Sequence, residues 1–525
     1  MRSPVAPLCS DHRTRRRSNA DTDSAVGLAS IAPTDSVFEI EGEYTTATVM
    51  GECDMFDDRF VEQVQQLVDH EAFTNRVVIQ PDGHPGAGAV IGFTMPLDEK
   101  VVPSTVGSDI GCGVEAASLG IEELPVSYTE ADERIREAVP FGRAVHDFDS
   151  AMHVGNDFPW DLLTERFERF NSSYSERSGR EIDLEDHTPN GEYDLEYFKA
   201  LCEMVGYDIN RAIASAGTLG GGNHFLEVAR SESDGDLWIV LHSGSRGLGS
   251  TVANYWQDRA IETRRAERAR EAVAALLEEG YGPYLKFDPE TTTDKDLLLW
   301  LQSGMGESFM RKGKIREEFE GEDIDETFAR LKEAIPGRGE AAESDSDEDL
   351  AFLEETEAHG YFVDMLFCQE YAATNRRRMV ELACEALGLP KAPEEILDSP
   401  HNIIDFEDSV IRKGATRVHE NERAVIPFTM RHGSILIEGK GNEEWNRSSP
   451  HGAGRLMSRT QAFEDLSMEE YEGLMDGIYS TSVTEDTLDE SPDAYKDPTT
   501  IEEAMAETAT VVDRLVPEHS LKAED

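Results

Sequence analysis

Residues 217–249 read GTLGGGNHFLEVARSESDGDLWIVLHSGSRGLG, and this stretch predicts a β-hairpin. Two runs with alternating apolar residues flank the polar turn SDGD, and glycine-rich loops close both ends of the pair. His224 stands at the start of the first run and His242 at the end of the second. Because antiparallel pairing folds these ends together, we expect both imidazoles at the same end of the hairpin, within a few residues of being directly opposite.

The sequence on either side of this hairpin alternates between strand-like and helix-like regions. Strands joined by glycine-rich turns are predicted over 37–125 and 401–460, and helices over 128–215, 250–335, 361–388 and 500–515. The last of these regions is interpreted as an amphipathic helix. The expected fold class is therefore α+β, with β-sheets surrounded by helices.

Two segments lack the hydrophobic period of a packed element. Residues 1–36 are rich in Ser, Asp, Arg and Pro, and they predict a disordered extension. The sequence ESDSDED at 343–349 predicts a solvated linker or surface loop. The remaining chain, 37–525, is long enough to bury one large core or two ordinary ones.

The charge of the chain is strongly acidic. Its 525 residues include 49 Lys and Arg against 107 Asp and Glu, a formal net charge of -58 that is spread along the whole sequence. At molar salt the Debye length falls to about 3 Å and self-repulsion is screened, so this composition indicates adaptation to a high-salt cytoplasm, as in a halophilic organism. A basic partner such as a histone would instead favour one localised acidic block.

The chain shows no sign of a membrane or secreted protein at the level of sequence. No run approaches the roughly 18 apolar residues of a membrane span, and no apolar region follows the Arg cluster at 13–17. A cytoplasmic protein without a membrane partner is expected. The six cysteines form no CxxC pair, which argues against a structural zinc ribbon.

Candidate metal ligands lie in glycine-rich loops. Asp109 and Cys112 form a D-x-x-C pair in SDIGCG, and His401 opens the loop SPHNIIDFE. Together with the two hairpin histidines, they offer one carboxylate, one thiolate and three imidazoles, a suitable set for one or two ions such as Mn, Fe, Co or Zn. Each residue alone is equally well explained as a structural side chain, and spacing cannot show that the five converge.

A candidate nucleophile lies in SSPHGAGRLMSR at 448–459. His451 directly precedes a Gly-Ala-Gly loop whose amides can donate to a phosphate, and histidine is a competent nitrogen nucleophile. Arg455 and Arg459 follow, where they can neutralise charge in phosphoryl transfer. The alternative is a histidine that caps a turn, with the arginines on a solvated helix face. Neither a Walker A loop nor a GxGxxG fingerprint occurs.

The stretch 411–459 is locally basic in an acidic chain, which suggests a polyanionic substrate. Its basic residues are Arg412, Lys413, Arg417, Arg423, Arg431, Lys440, Arg447, Arg455 and Arg459.

Several of these segments together resemble the RtcB family of RNA-splicing ligases. The matching motifs, in the order of that family, are PDGHPGAGAVIG, VGSDIGCGVEA, GTLGGGNHFLEV, LHSGSRGLG, AATNRRRMVE, RKGATR and SSPHGAGRLMSR, with a weaker match in SPDAYKD. They span about residues 80–460. The resemblance implies an RtcB-like catalytic domain over 37–525, with the metal and GTP site in glycine-rich loops at strand ends. The acidic helical region around 262–350 is then an insertion.

The resemblance also implies roles for individual residues. It implies two Mn²⁺ per chain, bound by Asp109, Cys112, His224, His242 and His401 with Cys112 bridging, and it makes His451 the guanylylated nucleophile. The implied GTP contacts are Asn223, His224, Phe225, Leu226, Glu227, His401, Asn402, Pro427, Phe428, Thr429, Met430, Ser434, His451, Gly452, Ala453, Gly454 and Lys522. The implied RNA phosphate contacts are Arg412, Lys413 and Arg455.

The implied activity is a GTP-dependent RNA ligase. It joins an RNA 3′-phosphate or 2′,3′-cyclic phosphate end to a 5′-hydroxyl end through a histidine–GMP intermediate, in tRNA splicing or RNA repair. The implied partners are such RNAs, including tRNA halves, and an activator such as archease. Two departures stand out: Pro427-Phe428-Thr429-Met430 replaces a Pro-Gly-Ser-Met loop, and IRKGAT replaces HRKGAT. A metal-dependent RNA-end phosphoesterase and a non-catalytic RNA-end-binding paralogue are the alternatives.

Overall fold

The alternating apolar runs of the sequence form two seven-stranded β-sheets and one two-stranded pair. The structure is a computed structural model that describes residues 14–16, 37–301, 309–333, 348–390, 393 and 395–523. The strands are β1 Thr14–Arg16, β2 Val37–Glu41, β3 Thr46–Met50, β4 Val77–His84, β5 Ile91–Pro96, β6 Gly113–Ser118, β7 Phe225–Ser231, β8 Leu237–Ser243, β9 Glu395–Pro400, β10 Asn402–Asp405, β11 Val410–Lys413, β12 Ala415–Arg417, β13 Arg423–Pro427, β14 Ser434–Gly439, β15 Ser448–Pro450 and β16 Ala509–Lys522.

Helices connect these strands. Their bounds are α1 Asp58–Val68, α2 Tyr128–Ala138, α3 Val154–Asp157, α4 Trp160–Ser178, α5 Leu195–Val205, α6 Ile209–Ser215, α7 Arg246–Glu278, α8 Asp294–Leu301, α9 Lys312–Glu318, α10 Glu322–Lys332, α11 Glu355–Ala386, α12 Arg459–Asp465, α13 Met468–Leu474 and α14 Pro498–Ala504. The predicted α+β class is confirmed. Helices also form most of the described residues in the predicted regions 128–215, 250–335 and 361–388, while 302–308 and 334–335 lie outside the described residues.

Strand order places the functional loops at one edge of the second sheet. The first sheet runs β1-β2-β3-β4-β5-β11-β10, the second runs β13-β14-β16-β7-β8-β6-β9, and β12 pairs with β15. In the second sheet Gly113 lies opposite both Ser243 and Pro400, and Phe225 lies opposite His242. The pairs are antiparallel, so the starts of β6 and β7 and the ends of β8 and β9 lie side by side. This row of strand ends is the shared sheet edge. The predicted hairpin is confirmed as β7–β8.

Helix α11 packs across this sheet and is buried along most of its length. Met379 and Val380 lie in one core cluster with Leu226 and Ile239 of the hairpin strands. The helix ends as its sequence predicts, because Gly388 adopts a left-handed φ of 73° that favours glycine. Its length and burial make α11 a rigid support behind the edge where β6 to β9 meet.

The predicted amphipathic helix at 500–515 is wrong in its second half. Helix α14 ends at Ala504, and the 14-residue strand β16 begins at Ala509. Strand β16 pairs with β14 on one side and with β7 on the other, with a register shift between Pro517 and His519. Two flanking strands supply its backbone hydrogen bonds, and that tertiary pairing overrides the local apolar spacing.

The chain divides into two compact units, one formed by Met1–Asn254 and Glu354–Asp525 and the other by Tyr255–Leu353. The second unit has a hydrophobic cluster of its own, which includes Leu276, Leu297 and Phe309. Residues 343–347 of the predicted linker lie outside the described residues. So does most of the predicted extension 1–36, of which Thr14–Arg16 is a strand paired with β2.

Candidate active site

Four loop segments at the shared sheet edge bring the predicted metal ligands together. Cys112 precedes β6, His224 precedes β7, His242 lies near the end of β8, and His401 follows β9. Nε2 of His242 lies 3.1 Å from Sγ of Cys112 and 3.2 Å from Nε2 of His401. The convergence that spacing alone could not show is therefore a property of the sheet register.

The ligand atoms form two groups that share one thiol. Cys112, His242 and His401 make the first group, and Asp109, Cys112 and His224 make the second, with the ligand atoms of each group within 4.8 Å of one another. In the second group Nε2 of His224 lies 3.0 Å from Oδ2 of Asp109 and 3.7 Å from Sγ of Cys112. Two ions that share a bridging thiolate fit this arrangement.

The surroundings of the imidazoles favour neutral, metal-binding rings. Burial and the neighbouring His224 hold the pKa of His242 well below its usual value, and burial and His451 do the same for His401. Nδ1 of His224 lies 2.9 Å from the carbonyl oxygen of Leu219, which leaves Nε2 to face the cluster. Nδ1 of His401 is buried without a hydrogen-bond partner among the described residues.

The backbone at this edge is closely packed. A Cβ atom on Gly113 would lie 2.6 Å from Cα of Pro400, so only glycine lets β6 and β9 approach here. A Cβ atom on Gly244 would collide with the carboxylate of Asp109. These glycines, which flank the candidate ligands in the sequence, allow the loops to converge.

The predicted nucleophile, His451, lies next to the cluster. His451 directly follows β15, and its ring centre lies 4.9 Å from that of His401. Nδ1 of His451 lies 2.6 Å from Oδ2 of Asp82, a fully buried carboxylate on β4. The backbone N–H groups of His451 and Gly452 donate to the same oxygen at 3.0 and 3.3 Å.

The hydrogen bonds of His451 are compatible with the nucleophile hypothesis. A capping histidine would use its ring to accept from a backbone amide, whereas here the ring and the amide both donate to Asp82. Donation from Nδ1 leaves Nε2 with a free lone pair, the state that a nitrogen nucleophile requires. Asp82 therefore orients the ring and sets its tautomer.

A pocket opens beside His451 and receives most of the predicted nucleotide contacts. Those that line it are Asn223, Phe225, Glu227, Pro427, Phe428, Thr429, Met430, His451, Gly452, Ala453, Gly454 and Lys522. His224 and His401 belong to the metal cluster instead. Asn402 accepts from the backbone N–H of Gly414, Leu226 lies in the core, and Ser434 is buried, so these three do not line the pocket.

The floor of the pocket carries buried charge. Burial raises the pKa of Glu227 to about 8, although Ser520 donates to it at 3.2 Å. Lys522 lies opposite Phe225 in the β16–β7 register and donates to Glu490 at 2.6 Å. Burial would raise the pKa of Glu490, but Lys522, Arg455 and Arg459 together outweigh this effect and bring the value to about 2. Lys522 therefore lies at the pocket.

Five pocket or nucleophile residues were missed at the level of sequence: Asp82, His84, Gly433, Glu490 and Tyr495. A signal existed for Asp82, because it lies within the matched motif PDGHPGAGAVIG as an acid in a turn of small residues. Tyr495 lies within the weaker motif SPDAYKD. Glu490 lies in an acidic stretch that resembles the rest of this chain, and nothing local sets it apart.

Two of the three predicted RNA contacts are committed to the protein itself. Arg412 is fully buried and donates to Asp405 and Asp408 at 2.8 and 2.9 Å. Lys413 is buried and donates to the carbonyl oxygens of Ala87, Ala89 and Ser104. Because both side chains are buried and occupied by these hydrogen bonds, neither is exposed for contact with a substrate.

The third predicted contact, Arg455, does line the pocket, where it donates to Glu490 at 3.2 Å and to the carbonyl oxygen of Asp489 at 2.7 Å. Other arginines of the stretch 411–459 also have acidic partners. Arg417, Arg423 and Arg447 pair with nearby carboxylates, as Arg455 and Arg459 do. A count of basic residues could not show these partners, which lie both within and outside the stretch.

None of the helices in the described part of the chain combines the length and apolarity needed to cross a membrane.

Comparisons with known proteins agree with this geometry. The sequence model of the family described as tRNA-splicing ligase RtcB matches residues 63–279 and 321–523. The chain is 28% identical over 476 residues to the RNA-splicing ligase RtcB of Escherichia coli (strain K12), an alignment that covers 83% of this chain and 87% of that protein. It is 24% identical to the tRNA-splicing ligase RtcB of Aeropyrum pernix, with 84% of this chain and 86% of that protein covered. It is also 24% identical to the tRNA-splicing ligase RtcB of Nanoarchaeum equitans, with 84% of this chain and 87% of that protein covered. The chain therefore belongs to the RtcB family and is an RNA ligase.

Proposed function

We propose that this ligase joins an RNA 3′-phosphate end to a 5′-hydroxyl end through a GMP group carried on His451, with GTP as the nucleotide and two Mn²⁺ ions at the cluster. The observation that carries the proposal is the Asp82–His451 pair, which adjoins both the pocket and the shared-thiol cluster. A phosphoesterase with the same ions has no need of such an oriented nucleophile. The RNA-end phosphoesterase is therefore the weaker candidate.

The first step uses the free Nε2 of His451. This nitrogen attacks the α-phosphorus of GTP, a P–N bond forms, and the P–O bond to pyrophosphate breaks. Asp82 holds the proton on Nδ1 and stabilises the positive charge that develops on the ring. Arg455 and Arg459 line the same pocket and offset charge on the phosphates.

The pocket suits guanine better than adenine. The ionised form of Glu227 accepts from N1–H and the N2 amino group of guanine, and these two donated hydrogen bonds lower the raised pKa of the carboxyl group. An ammonium such as Lys522 donates to O6. Adenine presents an acceptor at N1 and a donor at N6, which reverses this pattern. Phe225 and Tyr495 add apolar ring surface for a base.

The five cluster residues fit two borderline divalent ions. Asp109 and His224 would hold one ion, His242 and His401 would hold the other, and Cys112 would bridge them. Bound ions of this kind polarise phosphoryl oxygens and orient the triphosphate. The carboxylate, the thiol and the neutral imidazoles match the mixed O, S and N preference of Mn²⁺, Fe²⁺, Co²⁺ or Zn²⁺.

The remaining steps act on RNA. The GMP group passes from His451 to the 3′-phosphate, whose oxygen forms the new P–O bond as the P–N bond breaks. The 5′-hydroxyl then attacks the activated 3′-phosphorus, and GMP leaves. A 2′,3′-cyclic phosphate is opened to the 3′-phosphate beforehand. The proposed substrates include tRNA halves, and the proposed partner is an activator of the archease type. The proposed location is a cytoplasm with a high salt concentration.

The departure at Phe428 is compatible with this proposal. Phe428 is 7% exposed and packs with Ile426, Ile435 and Ala453, so most of its ring lies in the core. The hydroxyl of Thr429 accepts from the backbone N–H groups of Arg431 and His432, which closes the turn. The loop is thus a packed wall of the pocket rather than a plug.

Covalent labelling tests the proposal. With Mn²⁺, label from α-labelled GTP should remain on the chain, and γ-labelled GTP should leave none. The bond should be labile in acid and stable in alkali, as a phosphoramidate is and a phosphoserine is not. His451→Ala should abolish the label while bound metal stays unchanged, because no cluster ligand is lost.

His187→Ala, at a partly buried position outside the cluster and outside the pocket beside His451, is the matched control and should label as the wild type does. Persistent labelling of His451→Ala contradicts the nucleophile assignment. A wild type that binds metal but takes up no label favours the end-binding paralogue.

A further inference from the structure

Helix α11 carries two consecutive buried polar residues that the catalytic steps do not use. Asn375 is 0% and Arg376 is 1% exposed, and both lie on the face of the helix that packs against the ligand-bearing edge. The ion-pair partner of Arg376 is Asp398, whose side chain is 27% exposed, and an ion pair that reaches solvent contributes little to stability. Stability alone therefore gives little reason for an arginine at this position.

Arg376 joins three segments that lead to ligands. Its guanidinium donates to the carbonyl oxygen of Gly111 at 2.7 Å, directly before Cys112, and to that of Ser243 at 3.0 Å, directly after His242. Nε and Nη2 donate to the two carboxylate oxygens of Asp398 at 2.7 and 2.9 Å. Asp398 lies on β9, which leads directly to His401.

Asn375 joins the fourth segment, which leads to His224, to the segment that contains His242. Its Oδ1 accepts from the backbone N–H groups of Gly217 and Thr218 at 2.7 and 3.0 Å. The next carbonyl, that of Leu219, is the acceptor for Nδ1 of His224. Nδ2 of Asn375 donates to Ser243 Oγ at 3.2 Å and to the carbonyl oxygen of Gly244 at 3.0 Å.

We propose that Asn375 and Arg376 are positioning residues that hold the four ligand-bearing segments in register and so pre-organise the two-metal site. The proposal rests on the metal site proposed above. Loops are the mobile parts of a sheet edge, and ligands must be held close to their final geometry for tight binding. One rigid helix turn touches all four segments, so it supplies this order before an ion arrives.

The fork of the guanidinium is essential to this role. Arg376 directs its N–H groups at four acceptor oxygens, two carbonyl oxygens and the two carboxylate oxygens of Asp398. A lysine at 376 keeps the charge but has only three N–H donors on one shorter-reaching atom, so it cannot satisfy all four oxygens. Loss of such supporting contacts typically weakens metal affinity by about 10- to 100-fold.

The experiment measures Mn²⁺ binding by equilibrium dialysis and the thermal midpoint of the chelator-treated chain. Arg376→Lys should bind Mn²⁺ about 10- to 100-fold more weakly, with a metal-free midpoint close to that of the wild type. The matched control is Arg377→Lys, because Arg377 is the next residue, half exposed, and bonds to Glu115 rather than to a loop. It should bind Mn²⁺ as the wild type does.

Asp398→Asn is the second variant in case Arg376→Lys does not fold. It leaves the arginine in place and removes one charge from the pair, so a smaller loss of affinity is expected. Unchanged Mn²⁺ affinity in the folded variants overturns the positioning role, and so does a lowered metal-free midpoint without a change in affinity. A wild type that binds no Mn²⁺ overturns the metal site itself.

Discussion

Replacing Asp82 by Asn perturbs the nucleophile without touching the metal ligands. Oδ2 of Asp82 accepts from Nδ1 of His451 at 2.6 Å and from two backbone N–H groups of the same loop. Asparagine has nearly the same shape, so the loop should persist, but the charge that stabilises the imidazolium disappears. Because a hydrogen bond to a charged group contributes about 1.5–3 kcal/mol, guanylylation should slow by roughly 10- to 150-fold.

The assay is the single-turnover rate of label uptake from α-labelled GTP, with bound metal and thermal midpoint measured on the same sample. Asp194→Asn is the control, because Asp194 caps α5 by accepting from Tyr197 N–H at 2.7 Å, and asparagine is an equally good cap. An unchanged rate in Asp82→Asn refutes the orienting role. A loss of bound metal together with the rate shows that the substitution acts through the cluster instead.

Three further outcomes are expected. Cys112→Ala should abolish Mn²⁺-dependent labelling and deplete bound metal, because the shared thiol serves both groups, whereas Cys202→Ala, at a buried site outside the cluster, should keep both; equal activity refutes the bridging assignment. Burial raises the pKa of Glu227 in the folded protein to about 8, so its contribution to the free energy of unfolding is full below about pH 4.5 and declines toward pH 8, by up to about 1.4 kcal/mol per pH unit. In denaturant melts at several pH values, the free energy of unfolding of Glu227→Gln should decline less steeply with pH than that of the wild type. Parallel declines in the two proteins contradict the raised pKa. The thermal midpoint should rise from low to molar KCl, since the net charge of -58 is then screened; a flat or falling midpoint removes the salt-adaptation hypothesis.

Local patterns predicted the elements whose partners lie close in sequence. The β7–β8 hairpin, with its SDGD turn, was predicted from alternation and turn residues, and His224 and His242 lie where antiparallel pairing requires. Helix α11 was predicted from its long apolar period and its terminal Gly388. Strand β16 was not predicted, because its apolar residues at 511, 512, 515 and 516 also suit one face of a helix. Pairing with the flanking strands β14 and β7 makes this segment a strand rather than a helix.

By itself, the sequence determined the family, the five cluster residues and the position of His451, because these depend on short motifs whose residue types have few other uses together. Only the tertiary structure decided which other side chains contact these residues. Asp82 reaches His451 across 369 positions of the chain. Arg412, basic in sequence, is neutralised by buried carboxylates, and a charge count cannot register such pairing. The physical reason is that hydrogen bonds and ion pairs act over about 3 Å in space, while the residues that form them are separated along the chain by distances that local patterns do not encode.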